Sequence, residues 1–387
     1  MIKPAAAAKS ASARSRGARD LRLDFFRGLA LIFIFFNHVP GNAMSWLTNR
    51  YWGFSDATEI FVFVSGYTAA IAYGGVALRR GPIVAAVRVL HRVWQLYAAH
   101  IFLFVIYTAE IAYVAHRFEN PAFVEEMSVM QLLRDPDVTL LQALLLKFRP
   151  ANMDVLPLYI VLLLAFPLML VPLRRHPFYL LGASLLLYAV AYIFNVNLPG
   201  YPGDAHWYFN PFAWQLLFVL GALCASYRGA LRYFNRFDLV LVPAAILYLI
   251  FAWGVVQTWN FSSLETWMPD WLGRLIYPID KTDMDPLRLV HFLFMAYLVA
   301  HVVKPDSEFL QWRISQPIIR CGQHSLHVFC LGIFLSFTAY FVLVELIGAG
   351  VFEQILVSTV GMSLMIGLAY LMSWYKHAGA PAAEGET

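Results

Sequence analysis

Residues 155–171 read VLPLYIVLLLAFPLMLV, a stretch without a single charged side chain. A helix needs roughly 20 apolar residues, and at least about 17, to cross the hydrocarbon core of a bilayer. The chain as a whole is 60% hydrophobic and 13% charged, with a mean hydropathy of +0.62. Soluble proteins average about 25% charged residues. We therefore predict an integral membrane protein with most of its length inside the lipid bilayer.

Comparable apolar stretches recur along the chain, and about ten of them are candidate transmembrane helices: residues 23–39, 60–76, 84–115, 155–171, 178–194, 212–224, 239–256, 289–303, 326–347 and 351–374. The pattern predicts an all-α, polytopic helix bundle. Several stretches contain Pro or Gly, which membrane helices tolerate where neighbours or an internal cavity satisfy the freed backbone groups. A polar interior cavity is therefore expected.

Lys and Arg set the expected orientation, because cytoplasmic loops of membrane proteins are enriched in them. The connections at 78–92, 172–177, 226–236 and 304–320 are basic, whereas 195–210 and 345–354 carry neither residue. Both termini are predicted to be cytoplasmic, and the net charge of +4 follows from this asymmetry rather than from a nucleic-acid partner. We expect disordered tails at 1–20 and 377–387 around one transmembrane domain, residues 21–376.

Three cysteines, Cys224, Cys321 and Cys330, lie in or beside apolar stretches. Their spacing matches neither a zinc site nor a disulfide framework, so they are interpreted as packing residues. No other metal-ligand cluster, phosphate-binding loop or dinucleotide fingerprint is evident. The sequence therefore predicts no metal.

Arg27 and His38 lie in the first apolar stretch, eleven residues apart. At about 100° and about 1.5 Å per residue, they fall within about 20° of one helical face and about 16 Å apart along it. An ionisable side chain within a membrane normally faces the protein interior and is a candidate functional group. The alternatives are a snorkelling cytoplasmic anchor for Arg27 and a hydrogen-bonded interfacial histidine for His38.

Asp56 and Glu59 open the second apolar stretch, SDATEIFVFVSGY, and share a helical face. Antiparallel packing of the first two helices brings His38 near both carboxylates. A carboxylate that orients a histidine is the usual arrangement of a general base. The structural alternative is that Asp56 caps the helix and Glu59 complements its N-terminal dipole.

Arg88 and Arg92 belong to the basic connection that precedes the third apolar stretch. Membrane-surface charge accounts for such residues without any further role. An arginine cluster also binds phosphates, and together with Arg27 it would form a cationic mouth for a phosphorylated cofactor.

Two groups of polar and aromatic residues on the predicted outer side are candidates for substrate binding. Trp207, Asn210 and Trp214 belong to WYFNPFAWQ, and aromatic and amide side chains of this kind bind sugar rings. An interfacial aromatic belt explains them equally well. The second group precedes or opens an apolar stretch, where charged residues are unusual: Asp280, Lys281, Arg288 and His291.

The stretches RLDFFRGLALIFIFFNHVPGN at 22–42 and SDATEIFVFVSGYTAA at 55–70 resemble the OpgC family. Its members are membrane succinyltransferases of osmoregulated periplasmic glucans, within the wider acyltransferase-3-like superfamily. The resemblance continues through RVLHRVWQLYAAHI, WYFNPFAWQLLFVLGA, DKTDMDPLRLVHFLFMAYL and CGQHSLHVFCLG. It therefore covers the chain from about Asp20 to the last apolar stretch.

The superfamily signature is an Arg and a His with ten residues between them, which Arg27 and His38 match. The resemblance implies a multi-pass enzyme of the bacterial inner membrane. Such an enzyme would move an acyl group from cytoplasmic acyl-CoA, either succinyl-CoA or acetyl-CoA, to hydroxyls of a periplasmic or envelope glycan. The distance of about 16 Å between the two residues is comparable with an extended pantetheine arm.

On this hypothesis His38 is a general base or transiently carries the acyl group, and Asp56 or Glu59 orients it. Asn37 would donate a hydrogen bond to the developing oxyanion. The CoA phosphates would bind the arginines of the cytoplasmic side, Arg27, Arg88 and Arg92.

A transporter or flippase is the rival class, because broken helices and buried charges are also typical of transporters. The sequence shows no inverted repeat in its favour. A noncatalytic partner in an envelope complex is a third alternative. The acyl group, the acceptor glycan and the oligomeric state are left open by the sequence.

Overall fold

The computed structural model describes residues 20–227 and 235–378, apart from the side chain of His377. Within these ranges the chain is all-α, with no β-strand beyond one isolated bridge between Pro199 and His206. The predicted tails, 1–20 and 377–387, lie outside the described residues except for Asp20, Ala378 and the backbone of His377.

Eleven helices of the described chain build the bundle and are numbered here in order: α1 Leu21–His38, α2 Ala57–Arg80, α3 Pro82–Arg117, α4 Val155–Arg175, α5 Pro177–Phe194, α6 Pro211–Ser226, α7 Asp238–Asn260, α8 Pro286–Val302, α9 Ser315–Gln323, α10 Ser325–Phe341 and α11 Val351–Ala378. A π-helical turn, Val342–Ile347, extends α10.

In the part of the chain that the structure describes, seven helices are long and apolar enough to cross a membrane: α2, α3, α4, α5, α7, α10 and α11. Only 11% of α5 is buried inside the protein, so its large apolar side chains face outward, as lipid contact requires. α6 and α8 are apolar but shorter, and α1 carries three charged residues. The count of ten and the cytoplasmic termini stay predictions.

The two ends of the bundle differ in charge. At one end, α2 and α4 finish with Arg79, Arg80, Arg174 and Arg175, and this is called the basic end. The other end is called the His38 end, because α1 finishes there at His38. Helices α2, α6 and α8 begin at the His38 end, where Asp56, Asn210 and Asp285 cap their first backbone N–H groups. Three positive helix dipole ends therefore meet there.

Glycines set the closest contacts of the bundle. A Cβ on Gly66 of α2 would lie 1.9 Å from the backbone oxygen of Phe218 in α6, and one on Gly221 would lie 2.1 Å from that of Phe63. α1 meets α9 in the same way, since a Cβ on Gly28 would lie 1.9 Å from the oxygen of Ile318. Small residues let helix backbones approach this closely, which holds α1 and α2 firmly in place.

Short helices fill the two long loops at the His38 end. Ala122–Glu126, Met130–Arg134 and Pro136–Leu144 follow α3, and Ser262–Glu265 and Asp270–Ile276 follow α7. The first loop folds back onto the bundle, with Phe123 edge-on to Phe337 of α10 and with Tyr97 of α3 donating to the Leu144 oxygen at 2.9 Å. Its last residues, 147–154, thereby reach the start of α4.

Replacing Gly66 with Ala should destabilise the protein by at least about 1–3 kcal/mol, because the new methyl group collides with the backbone of α6. The matched control is Gly74→Ala on the same helix, where a Cβ would meet no atom within 4 Å and helix propensity alone acts. Thermal unfolding of the purified proteins in detergent measures both. Equal melting temperatures for the two variants would contradict the close contact.

Candidate functional site

Glu59 is completely buried at the third position of α2. Its Oε2 accepts the Asp56 backbone N–H at 2.9 Å, which completes a capping box. Its Oε1 accepts from Arg288 of α8, at 2.6 Å from Nη2 and 3.0 Å from Nε. Both oxygens are therefore engaged, and the fork-like contact with the guanidinium is a strong, charge-assisted one.

Asp56 is the second carboxylate of this cluster. Its Oδ1 accepts the Thr58 N–H at 2.8 Å, while its Oδ2 contacts the Lys281 ammonium and lies 3.5 Å from Arg288 Nη2. Asp56 precedes the first residue of α2. Burial favours its neutral form, but the charges of Lys281 and Arg288 outweigh burial and hold the pKa of Asp56 below its ordinary value. The carboxylate therefore stays ionised.

The structure brings His38 into the neighbourhood of this cluster, within electrostatic reach of Lys281, Asp56 and Arg50. Its Nδ1 is buried, and no atom of the described residues hydrogen-bonds to it. Neither Asp56 nor Glu59 forms a hydrogen bond with the imidazole, because both carboxylates are taken by cations and helix N–H groups. The described residues therefore contain no direct hydrogen bond between His38 and the acidic pair.

Asn37 lies next to His38, and its amide group contacts Thr48. The side-chain oxygen of Asn37 accepts from the Thr48 hydroxyl at 3.0 Å. The same hydroxyl also donates to the Ser45 oxygen at 2.7 Å. The Asn37 amide is therefore held at the end of α1, one residue before His38.

Asn210 and Trp214 are both fully buried, and they hold the loop that carries Lys281. The indole N–H of Trp214 donates to the Lys281 and Thr282 oxygens at 3.1 Å, and Asn210 Nδ2 lies 2.6 Å from Asp283 Oδ1. Asp280 caps the same loop by accepting two backbone N–H groups. These three predicted substrate-binding residues therefore position Lys281, and their polar groups face the loop.

His291 and Trp207 are also occupied by protein contacts. His291 is buried, and its Nδ1 lies 2.8 Å from Ser55 Oγ beside the start of α2. Trp207 is 5% exposed because the Arg149 guanidinium stacks on its ring, 4.6 Å from the centroid. Arg149 in turn donates to Asp154 at 2.8 Å.

Arg149 and Asp154 form an ion pair that the sequence pattern did not distinguish. Asp154 lies within electrostatic reach of Lys281, so the pair adjoins the central cluster. Burial raises the pKa of the Asp154 carboxyl, although the adjacent Arg149 opposes this effect. The available signal was a charged residue directly before an apolar stretch, as at Asp56.

The predicted donor-side arginines lie toward the basic end. Arg27 donates from α1 to the Thr68 hydroxyl and, at 3.4 Å, to the Val64 oxygen of α2. Arg92 bonds Gln95 at 3.1 Å and lies within electrostatic reach of Tyr73 on α2, whereas Arg88 is exposed. Arg27 thus contacts the middle of α2, whereas Arg92 lies near the half of α2 that leads to the basic end.

Residues 20–227 and 235–378 contain no group of three or more His, Cys, Asp or Glu side chains arranged to hold a metal ion. The His38 end instead offers the imidazole of His38 and the side-chain amide of Asn37. Beside them lie two carboxyl groups and two cations, so their charges balance. Such groups can remove a proton from a hydroxyl and stabilise a developing oxyanion.

A protein-family model described as OpgC protein matches residues 19–377. No curated protein matches the chain. No solved structure matches it either.

Replacing Arg288 with Met should lower the free energy of unfolding by about 3–5 kcal/mol, because Glu59 would remain buried without its cation. The double variant Glu59→Gln/Arg288→Met should recover much of this loss, since no unpaired charge remains. Arg274→Met removes an exposed arginine and serves as the control. Thermal unfolding in detergent provides the comparison, and a double variant less stable than Arg288→Met alone would refute the pairing.

Proposed function

Since the chain belongs to the OpgC family, we propose that it moves an acyl group from cytoplasmic acyl-CoA to hydroxyls of a periplasmic or envelope glycan. Family membership implies a glucan-modifying acyltransferase in general. The succinyl group, the CoA donor and the roles of individual residues are the proposal. The observation that carries it is the imidazole of His38 beside the buried Asp56–Lys281 pair.

His38 acts as the general base. It takes the proton of a glycan hydroxyl as the hydroxyl oxygen attacks the thioester carbon, and the amide of Asn37 donates to the resulting oxyanion. The tetrahedral intermediate then collapses by breaking the C–S bond. The proton held by His38 passes to the leaving thiolate, so the products are an O-acyl glycan and free CoA.

Lys281 and Asp56 set the electrostatic environment of this step. Lys281 and Asp56 both lie within electrostatic reach of the His38 imidazole, and their opposite charges counteract each other there. Asp56 is therefore a positioning residue that acts through Lys281, because its carboxylate contacts Lys281 and forms no hydrogen bond with His38 in the described chain. The Glu59–Arg288 pair adjoins Asp56 and holds both Asp56 and Lys281 in place.

The donor enters from the basic end in this proposal. Arg27, with Arg92 and Arg88, binds the CoA phosphates, and the pantetheine arm runs along α1 toward His38. The separation of Arg27 and His38 along one helix face, about 16 Å, supports this arrangement. Five residues shape the acceptor side by holding its loops in place: Asn210, Trp214, Asp280, Arg288 and His291.

Replacing His38 with Ala should lower acyl transfer by about a hundredfold to ten-thousandfold, the usual contribution of a general base. Mass spectrometry of envelope and periplasmic glycans from cells with the intact gene, its deletion and the variant measures the product. A mass increment of one succinyl or acetyl group should be present only with the intact gene. The control is His176→Ala, an exposed histidine at the basic end.

The outcomes of this experiment separate the alternatives. Normal glycan acylation by the His38→Ala protein would refute the catalytic role. No acyl difference in any fraction, with the deletion strain included, would instead favour a transporter.

Replacing Arg27 with Ala should weaken CoA binding by about tenfold, because one charge-assisted phosphate contact contributes roughly 1.5 kcal/mol or more. Calorimetry with CoA and with dephospho-CoA on the purified variant measures the loss. Thr68→Val is the companion variant, since it removes the hydroxyl that accepts from Arg27 and keeps the cation. Unchanged CoA affinity in Arg27→Ala would contradict the phosphate role.

A further inference from the structure

A cleft of about 500 Å³ opens at the His38 end beside the Asp154 carboxylate. Three segments line it, residues 128–134, 147–154 and 200–208. Its volume falls in the range of about 300–1,000 Å³ that ligand pockets occupy. It is called the basic cleft below, for the charges described next.

Three cations and one carboxylate line the basic cleft: Arg134, Lys147, Arg149 and Asp154. Arg149 is neutralised by Asp154 at 2.8 Å. Arg134 and Lys147 have no carboxylate within 4.0 Å anywhere in the described ranges. The lining residues therefore keep a net charge of +2, on two side chains that form no salt bridge within the described ranges.

The walls of the basic cleft are held by hydrogen bonds. Tyr201 donates its backbone N–H to the Lys147 oxygen at 3.1 Å, and its hydroxyl accepts from Gln131 at 3.1 Å. Arg149 Nη1 donates to the Leu146 oxygen at 2.6 Å. The cations therefore project from a preformed surface, which lowers the entropy lost on ligand binding.

Aromatic rings complete the lining. Tyr208 is 49% exposed at the rim, and Tyr201 lines the wall. A tyrosine offers an apolar face and a polar hydroxyl together. This combination suits a sugar ring, which has apolar C–H faces and hydroxyl edges. Trp207, one of the rings that the sequence offered for sugar binding, is buried, and the Arg149 guanidinium stacks on it.

We propose that the basic cleft binds a segment of the acceptor glycan that carries anionic groups, either carboxylates or phosphate esters. The two unbalanced cations supply the charge recognition and the tyrosines supply the sugar contacts. This proposal rests on the proposed function for the identity of the glycan as acceptor. Its binding test does not require acyl transfer.

The basic cleft lies close to Lys281 of the candidate site. Asp154 lines the cleft and lies within electrostatic reach of Lys281, and the Tyr208 ring centroid lies 5.9 Å from Lys281 Nζ. Lys281 in turn contacts Asp56 and is an electrostatic neighbour of His38. A glycan bound in the cleft would thus place a neighbouring hydroxyl toward His38.

A succinyl ester adds a carboxylate to the glycan, so the product of one transfer is itself anionic. The cleft would then hold a chain that has already reacted and present another of its hydroxyls. Successive substitutions should therefore concentrate on the same chains. Acetylation adds no charge and would produce no such effect.

The binding test uses the full-length protein in detergent and a glucose hexasaccharide in three forms: unsubstituted, succinylated and phosphorylated. Both anionic forms should bind about fivefold more tightly at low salt, and the preference should fade as salt shortens the screening length to about 3 Å at 1 M. The double variant Arg134→Gln/Lys147→Gln should lose the preference. Arg117→Gln, an exposed cation at the end of α3, is the matched control and should keep it.

Equal binding of the three forms by the unaltered protein would overturn the proposal. So would a preference that survives in the double variant or is lost in the Arg117→Gln control. A preference for only one anionic form would identify the recognised group as a carboxylate or as a phosphate ester. Because no acyl transfer is measured in this binding test, normal glycan acylation by the His38→Ala protein together with a selective cleft would refute the proposed catalytic role and leave the cleft proposal standing.

The number of succinyl groups on each glycan chain provides the second readout, by mass spectrometry of cellular glycans. With the intact protein, unmodified chains and multiply modified chains should both be more frequent than expected if each succinyl group were added independently. The double variant should approach independent addition at the same total modification. A random distribution with the intact protein would refute the successive reaction.

Discussion

A carboxyl group that is completely shielded from solvent inside a helix bundle needs partners for both of its oxygens, and Arg288 and the Asp56 backbone N–H supply them for Glu59. Glu59 and Arg288 are 229 positions apart in the sequence, so their contact ties the start of α2 to the start of α8. The loop that precedes α8 carries Lys281, and the residue that caps α2 is Asp56. The ion pair thereby fixes both groups that surround His38.

The same constraint explains why so many polar residues at the His38 end contact other protein groups. Lys281 lies near His38 only if its loop is rigid, and Asn210 and Trp214 supply that rigidity from α6. α6 can do so because Gly66 and Gly221 let it approach α2 closely. The position of Lys281 at the edge of the bundle therefore depends on the close packing of small residues in its interior.

Local sequence patterns predicted the helices well, because a membrane span is defined by its own length and composition. They also placed His38 near Asp56, since a short connection between antiparallel helices leaves little choice. The partner of Glu59 was not predictable in this way, because the contact depends on α8, far along the chain. The sequence left open whether Asp56 or Glu59 orients His38, whereas the capping box and Arg288 occupy both oxygens of Glu59.

Aromatic residues were harder to interpret than charged ones. Trp207, Asn210 and Trp214 looked like a sugar-binding surface, but composition cannot distinguish an exposed ring from a buried one. Burial of Trp207 depends on Arg149, which comes from a loop between other helices. The more exposed ring is its neighbour Tyr208. A one-residue difference in an irregular segment, where no helical periodicity applies, decided which ring faces outward.

An enzyme that transfers a group between the two sides of a membrane has to keep its donor and acceptor apart until they meet at one base. The charge distribution of this chain suits that requirement. Arg27 contacts the middle of α2 and Arg92 lies near Tyr73 in its basic half, whereas the net +2 of the basic cleft lies at the His38 end. Between the two, Glu59, Asp56, Lys281 and Arg288 carry balancing charges. An anionic donor and an anionic glycan would each be attracted to its own end, and neither would be drawn past the neutral cluster beside His38.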